Sequence, residues 1–267
     1  MLKIKTIFLF LLIPALAASQ NIYSALQMNK SREYKTRKPT KIIETNIFYN
    51  QSGIQKDKSI KLFDESGMLL SEERFDEEGN LKARLIHTND TINKLVLTNK
   101  FERWERFGYS VEVSTYVYDS SKFLVSVIDK DQAGTTFRVT ELKNDVHGNP
   151  TELSLFDGEG NLFGKEMAVY YYDRNKVVTS VFSNEGKLLS TDSMKIDFKL
   201  KSPGDEIHGP NTWVSTNWKG EETVYESEYV YDPSGNCTSE IIYKVKTKAD
   251  GTPKKEIDRI FRKDYSY

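Results

Sequence analysis

One spacing of three residues recurs along this chain and constrains its fold more than any other feature. Six of the 15 glycines have an aspartate three positions earlier. In a type I turn, an Asp side chain at the first position accepts hydrogen bonds from backbone amides, and Gly at the fourth supplies the positive φ that closes a hairpin with a bulge. We therefore predict hairpin turns at these pairs. The four clearest are Asp64 and Gly67, Asp76 and Gly79, Asp157 and Gly160, and Asp232 and Gly235.

Around these four turns the match extends to a longer word, aromatic-Asp-x-x-Gly-x-apolar or close to it. Gly67 and Gly79 are twelve residues apart, an interval that holds one strand and one turn. Between the turns, apolar residues recur at every second position, as at Val111 and Val113. The sequence predicts an all-β domain over residues 42–267. Its expected form is a repetitive antiparallel β-meander, folded as an open twisted sheet or half-barrel.

The repeated word resembles the YD repeats of the RHS group of exported bacterial proteins and, more loosely, the MORN-like repeats of some bacterial antitoxins. The resemblance covers roughly residues 49–243 and implies a shell of β-strands. In large RHS proteins such a shell encloses a toxin, but this chain is too short to build a shell and fill it, so only the architecture carries over. Asn replaces the usual Arg after the Gly in three copies. Two further YD words lack the glycine. These departures are Asn80, Asn161 and Asn236 in the first group, and Lys122 and Lys176 in the second.

The first 19 residues differ from the rest of the chain. Lys3 and Lys5 precede an apolar run over residues 7–16, and Ala15-Leu16-Ala17 has the small-x-small pattern that signal peptidase accepts. About ten apolar residues are too few for the roughly 20 that cross a bilayer as a helix. We therefore predict a cleaved signal peptide over residues 1–19, a periplasmic or extracellular bacterial protein, and no membrane association after cleavage.

Residues 20–41 follow as a basic lead-in or linker. Their basic residues are Lys30, Arg32, Lys35, Arg37, Lys38 and Lys41, against the single acid Glu33. Large apolar residues are few in this stretch, so we favour a solvated linker over a binding arm.

Composition restricts the function classes. The chain has 38 Lys and Arg against 39 Asp and Glu, a formal charge of −1, which argues against a nucleic-acid partner. One cysteine and three widely spaced histidines supply neither a disulfide framework nor a metal site, and we expect no cofactor. Two loops resemble calcium sites, but Ala168 and Thr140 occupy the position that needs a bidentate Glu.

An enzyme remains an open alternative, as a hydrolase that uses carboxylates in a sheet cleft. No nucleophile elbow or phosphate-binding glycine loop is present in the sequence. Adjacent acids such as Glu72 and Glu73 point to opposite faces of a strand and form no dyad by themselves. An outer-membrane β-barrel is a further alternative, since the chain ends in Tyr265-Ser266-Tyr267, but the candidate strands carry charge on both faces.

Aromatic residues near arginines are the candidate binding groups. Trp104 lies beside Arg103 and Arg106, while Trp213 and Trp218 flank a short polar segment. Exposed Trp with Arg suits a ligand or protein contact, whereas the alternative is that these rings fill a thin core. We interpret the chain as an exported non-enzymatic scaffold or binding module that presents a sheet face to a protein or glycan.

The export signal generates the first prediction. The mature protein should begin between Ala18 and Ile22, because the cleavage pattern ends just before these residues. The intact mass of the protein purified from its native host gives the first residue directly. A native chain that still carries residues 1–16 would contradict export by this route.

Overall fold

The computed structural model describes residues 21–22, 24–25, 38–50, 53–106, 108–196, 198, 212–216, 222–247 and 250–267. Sixteen strands lie within these residues and form one antiparallel sheet. The strands are β1 (Lys41–Asn50), β2 (Gly53–Phe63), β3 (Leu69–Phe75), β4 (Leu81–Asp90), β5 (Leu95–Glu105), β6 (Gly108–Tyr118), β7 (Leu124–Lys130), β8 (Thr136–Asn144), β9 (Pro150–Asp157), β10 (Leu162–Tyr171), β11 (Lys176–Ser183), β12 (Leu188–Lys195), β13 (Thr212–Thr216), β14 (Glu222–Tyr231), β15 (Cys237–Thr247) and β16 (Pro253–Ser266). The prediction of an all-β antiparallel meander in an open sheet is confirmed.

The strand order has one discontinuity. Strands β1 to β12 follow one another across the sheet, and β13 to β16 do the same on the other side of β1, where β16 pairs with β1. The edges are therefore β12 and β13, which are consecutive in the chain. A flat sheet of this width would separate them by about 72 Å. The chain from Lys195 to Thr212 spans at most about 60 Å when fully extended. The sheet must therefore curve and twist to bring its two edges closer together.

The turns use the Asp side chain as the spacing requires. In the turn between β9 and β10, Asp157 Oδ1 accepts hydrogen bonds from the backbone N–H of Glu159 at 3.0 Å and of Asn161 at 2.8 Å. Gly160 has φ +85° and donates its N–H to the Asp157 carbonyl at 3.1 Å. The register of the strands shifts beside this turn, as expected for a bulge. The turns at Asp64, Asp76 and Asp232 have the same carboxylate bond to the residue four positions later.

The two words without glycine make different turns. Lys122 takes the place of Gly in a turn of the same kind, with φ +66° and its N–H bonded to the Asp119 carbonyl at 3.0 Å. After Tyr172 the chain instead makes a 3-10 turn over Tyr172–Arg174. Asn175 adopts the left-handed conformation there, and Lys176 is already the first residue of β11. The position that replaces glycine is therefore Asn175 rather than Lys176.

A second contact repeats in five of the hairpins. Near the end of the second strand, a Tyr or Asn side chain donates a hydrogen bond to a backbone carbonyl near the start of the first strand. The five contacts, at 2.8 to 3.0 Å, run from Asn89 to Leu69, from Tyr118 to Val96, from Asn144 to Leu124, from Tyr170 to Pro150 and from Tyr265 to Cys237. The structural repeat is thus a two-strand hairpin, and at Tyr118 the donor is the tyrosine of a YD word, Tyr118-Asp119.

In two places a second tyrosine donates a hydrogen bond to the aspartate of an earlier turn. Tyr172 donates its hydroxyl to Asp145, and Tyr267 donates to Asp232 Oδ2 at 2.8 Å. Asn149 and Asn236, at the ends of these turns, donate to the same hydroxyls. The last two tyrosines therefore have structural roles in the repeat, since Tyr265 donates to the Cys237 carbonyl and Tyr267 donates to the turn residue Asp232.

The largest cluster of buried apolar side chains lies on one side of the sheet, across β6 to β11. We call this side the core face and the other side the outer face. The buried cluster consists of Ile22, Ala25, Tyr116, Leu124, Val127, Leu142, Leu153, Ala168 and Val177. Two of its members, Ile22 and Ala25, come from the segment that we predicted as a solvated lead-in, and both are fully buried. Within the described residues, no helix is long and apolar enough to cross a bilayer.

Turn chemistry generates the second prediction. Replacing Gly160 with Val should lower the free energy of unfolding by about 1–3 kcal/mol, because a β-branched residue is strained at positive φ. A Cβ at this position would meet no atom within 4 Å, so the backbone conformation alone carries the effect. Lys122→Gly should act in the opposite direction and stabilise by up to about 1 kcal/mol. Denaturant unfolding measures both, and a Lys122→Gly protein less stable than the wild type would contradict this account.

Candidate binding surface

The outer face of β3 to β6 carries a continuous group of charged and aromatic side chains. We call it the Trp104 patch, and its residues are Glu73, Arg84, Lys100, Glu102, Trp104 and Tyr109. The register places Glu73 opposite Arg84, Arg84 opposite Glu102, and Trp104 opposite Tyr109. Because these residues are direct cross-strand neighbours, their side chains lie on the same side of the sheet and meet.

The charges of the Trp104 patch are organised around Glu102. Its side chain is 8% exposed and accepts hydrogen bonds from Tyr109 at 2.7 Å and Lys100 at 2.9 Å. Arg84 lies 3.5 Å from Glu102 and 3.1 Å from Glu73, and so joins the two acids. The hydrogen bonds from Lys100 and then from Tyr109 lower the pKa of Glu102, and the bond to Glu102 raises the pKa of Tyr109. Glu102 is therefore held ionised, while Tyr109 keeps its proton.

The rings of the Trp104 patch lie against these charges. The centroids of Trp104 and Tyr109 are 5.2 Å apart, and the guanidinium carbon of Arg84 lies 5.6 Å from the Trp104 ring centroid. Tyr109 is 44% exposed, and the side chains of Arg84 and Lys100 are 35% and 45% exposed. The two acids balance the two bases. The patch therefore offers a partner exposed aromatic surface and fixed hydrogen-bonding groups without a strong net charge.

The predicted binding residues that the structure describes do not form one group. Arg103 lies on the core face, where it pairs with Glu112 and packs its guanidinium 4.8 Å from the Phe101 ring centroid. Arg106 is exposed in the connection between β5 and β6. Trp213 belongs to the edge strand β13, of which the backbone alone is described, and Trp218 lies outside the described residues.

Sequence reasoning assigned only Trp104 of this patch to binding and missed the other five members, namely Glu73, Arg84, Lys100, Glu102 and Tyr109. One signal could have found part of it. The connection between β5 and β6 has two residues, since Glu105 pairs with Gly108, and this places Trp104 opposite Tyr109. The other members come from β3, from β4 and from further along β5, and their identification requires the register of bulged hairpins.

The core face contains a polar row that sequence reasoning also missed. Asp129 is 2% exposed and accepts hydrogen bonds from Ser114 Oγ and Arg138 Nε, both at 2.6 Å. Asn99 continues the row on β5, opposite Ser114. Because the buried carboxylate has both a cation and a hydroxyl as partners, the row stabilises the pairing of β6, β7 and β8.

The acids that we considered for hydrolysis are separated by the sheet. Glu72 and Glu73 are neighbours in β3, and their cross-strand partners are Leu85 and Arg84. Since Leu85 and Arg84 point to opposite faces of β4, so do the two acids. Across the described residues, no group of three or more His, Cys, Asp or Glu side chains is arranged to hold a metal ion.

Comparison with known proteins gives similarity of backbone only. No protein-family profile matches the chain, and no curated protein matches its sequence. A porin-like protein from Bacteroides uniformis has a TM-score of 0.46 at 11% identity over 88% of this chain and 99% of that one. A TcdB2-TccC3-Cdc42 complex has a TM-score of 0.27 at 11% identity, and the Photorhabdus luminescens Tc holotoxin pore has 0.20 at 12%. These two matches cover 83% and 71% of this chain but only 14% and 10% of the matched chains.

Glu102 generates the third prediction. Because its pKa is lowered in the folded state, the stability that it contributes is present above its unfolded pKa of about 4.3 and is lost as the pH falls through the folded value. Glu102→Gln should therefore reduce the fall in melting temperature between pH 5 and pH 2.5. Glu185→Gln, in the exposed turn before β12, is the control. Equal acid sensitivity of wild type and Glu102→Gln would contradict the assignment.

Proposed function

We propose that this chain is an exported, non-enzymatic binding module, and that it presents the Trp104 patch on the outer face of β3 to β6 to a protein partner. The observation that carries the proposal is the cluster of half-buried Trp104, half-buried Arg84 and exposed Tyr109 on the face opposite the apolar cluster. Trp, Tyr and Arg are the residues most enriched among those that dominate protein interfaces. Export follows from the signal-peptide pattern of residues 1–19.

The fixed geometry of the patch supports binding. Arg84 is held by two carboxylates and Tyr109 by Glu102, so a partner would order few side chains on contact. Preorganised side chains lower the entropy cost of association. A glycan is the second candidate, because two adjacent rings bordered by carboxylate, ammonium and guanidinium groups offer both stacking and hydrogen bonds to sugar hydroxyls.

We also propose that the meander is a YD-type repeat. The hairpin contact of Tyr118, which directly precedes Asp119, gives the tyrosine of that word a structural role, and Asp119 forms the next turn. Such a repeat would serve here as a display scaffold rather than as a toxin shell.

Substitution of Trp104 is the fourth prediction. Trp104→Ala should weaken partner binding at least tenfold, as expected of an interface residue worth about 1.4 kcal/mol or more. The readout is a pull-down with the mature protein from the secreted and periplasmic fractions of its host, together with a glycan array. Tyr171→Ala is the matched control, because Tyr171 is an aromatic residue exposed on the outer face and, like Trp104, has an arginine near its ring, with the Arg174 guanidinium carbon 5.9 Å from the ring centroid.

The control also sets the outcome that would contradict the proposal. If Tyr171→Ala and Trp104→Ala weaken binding equally, or if neither does, the Trp104 patch is not the binding surface. Melting curves of both variants separate lost binding from lost folding. Turnover of an ester, peptide or glycan substrate that disappears on replacement of one carboxylate would instead establish an enzyme.

A further inference from the structure

Glu166 is a carboxyl group on the core face whose partner comes from the beginning of the chain. It lies on β10, opposite Leu153 of β9 and Val181 of β11. Its Oε2 atom accepts a hydrogen bond from the backbone N–H of Ile22 at 2.9 Å. Burial raises the pKa of Glu166, and the Ile22 bond opposes that rise. In the part of the chain that the structure describes, no ion pair to Glu166 is formed. A half-buried carboxylate with one neutral donor would gain from a cation close by.

The turn that supplies this donor is anchored in the core. Asn21 Oδ1 accepts the N–H of Ser24 at 2.8 Å, and the Asn21 carbonyl accepts the N–H of Ala25 at 3.0 Å. Ile22 and Ala25 are fully buried against the cluster of β6 to β11. The position of the backbone nitrogen of Asn21 is thus fixed beside Glu166. Neighbouring backbone nitrogens are at most about 3.6 Å apart, so the nitrogen of Asn21 lies within about 6.5 Å of Glu166 Oε2.

Cleavage of the signal peptide would create a positive charge at this place. The cleavage pattern predicts a mature chain that begins between Ala18 and Ile22. A new α-ammonium group at Asn21 would lie within the distance at which opposite charges interact, and each additional residue before Asn21 would move it up to about 3.5 Å further away. The precursor has a neutral peptide bond at the same position.

We propose that Glu166 is the docking site for the α-amino group of the mature chain. In this proposal, which rests on the export part of the proposed function, signal-peptide cleavage completes the core, because the new ammonium pairs with Glu166 and fixes Ile22 and Ala25 against the sheet. The mature protein then differs from its precursor in stability and not only in location.

The test uses full mature chains with different first residues. One begins at Asn21, a second begins at Ala18, and a third carries ten Gly and Ser residues before Asn21, each with and without Glu166→Gln. The chain that begins at Asn21 should melt about 2–4 °C above the Gly-Ser chain, the shift expected for one partly buried ion pair in a protein of this size. The chain that begins at Ala18 should lie between them. In the Glu166→Gln background the three should melt together.

Several results would overturn the proposal. Equal melting temperatures of the Asn21 and Gly-Ser chains would show that the amine is not paired. A difference that persists in Glu166→Gln would show that Glu166 is not its partner. Glu152→Gln is the matched control, because Glu152 is paired with Lys143 and Lys165 on the outer face. Glu152→Gln should leave the difference in melting temperature between the Asn21 and Gly-Ser chains unchanged. Ile22→Asp should lower the melting temperature of every chain, and an unchanged value would show that the turn is not docked.

These outcomes are separate from those of the proposed function. The chains are produced with defined first residues, so the ion pair is measured whether or not the native host exports the protein. The intact mass of the native protein tests export, and the Trp104→Ala pull-down tests binding. A mature chain that begins at Asn21 and shows no coupling to Glu166 would leave export standing and remove the docking site.

Discussion

The sheet depends on one repeated interaction, the acceptance of backbone N–H groups by a turn aspartate. At Asp157 the carboxylate holds two amides and fixes both the position of Gly160 and the bulge beside the turn. The bulge sets the register of the next strand, and a slip of one residue would move every side chain to the other face. Because the same interaction recurs at several turns from Asp64 to Asp232, local chemistry at these turns determines which residues share a face on the strands that they join.

This arrangement explains how a chain with 38% apolar residues folds. The largest apolar cluster covers β6 to β11, isolated apolar side chains such as Ile42 and Ile260 are buried outside it, and charged pairs occupy other positions of the sheet. Asp129 with Arg138 does so on the core face, and Glu102 with Lys100 does so on the outer face. A buried carboxylate is tolerated where cations and hydroxyl groups satisfy it, and its loss would leave a partner unpaired. Stability is therefore distributed over many cross-strand contacts instead of residing in one thick core.

What the sequence could predict is what local chemistry determines. The turn at Asp76 and Gly79 and the alternation along β6 are local patterns, and they predicted the all-β meander. The separation of Arg103 from Trp104 is equally local, since neighbours on a strand face opposite ways, although proximity in sequence suggested a joint site. The contacts of Arg84 and the burial of Ile22 depend on register and on a contact across more than 140 residues, which no local pattern encodes.

The order of the strands adds a constraint on how the sheet is completed. Strand β1 lies between β2, its neighbour in sequence, and β16, which is about 200 residues away. Thr40 donates its backbone N–H to the Ser266 carbonyl at 2.8 Å, so the last strand closes against the start of the first. Hairpins form faster than pairings of distant segments. The β1 and β16 pairing therefore forms after the hairpins on either side. Until then both strands have exposed backbone groups, and the Tyr267 contact with Asp232 secures the last hairpin in the meantime.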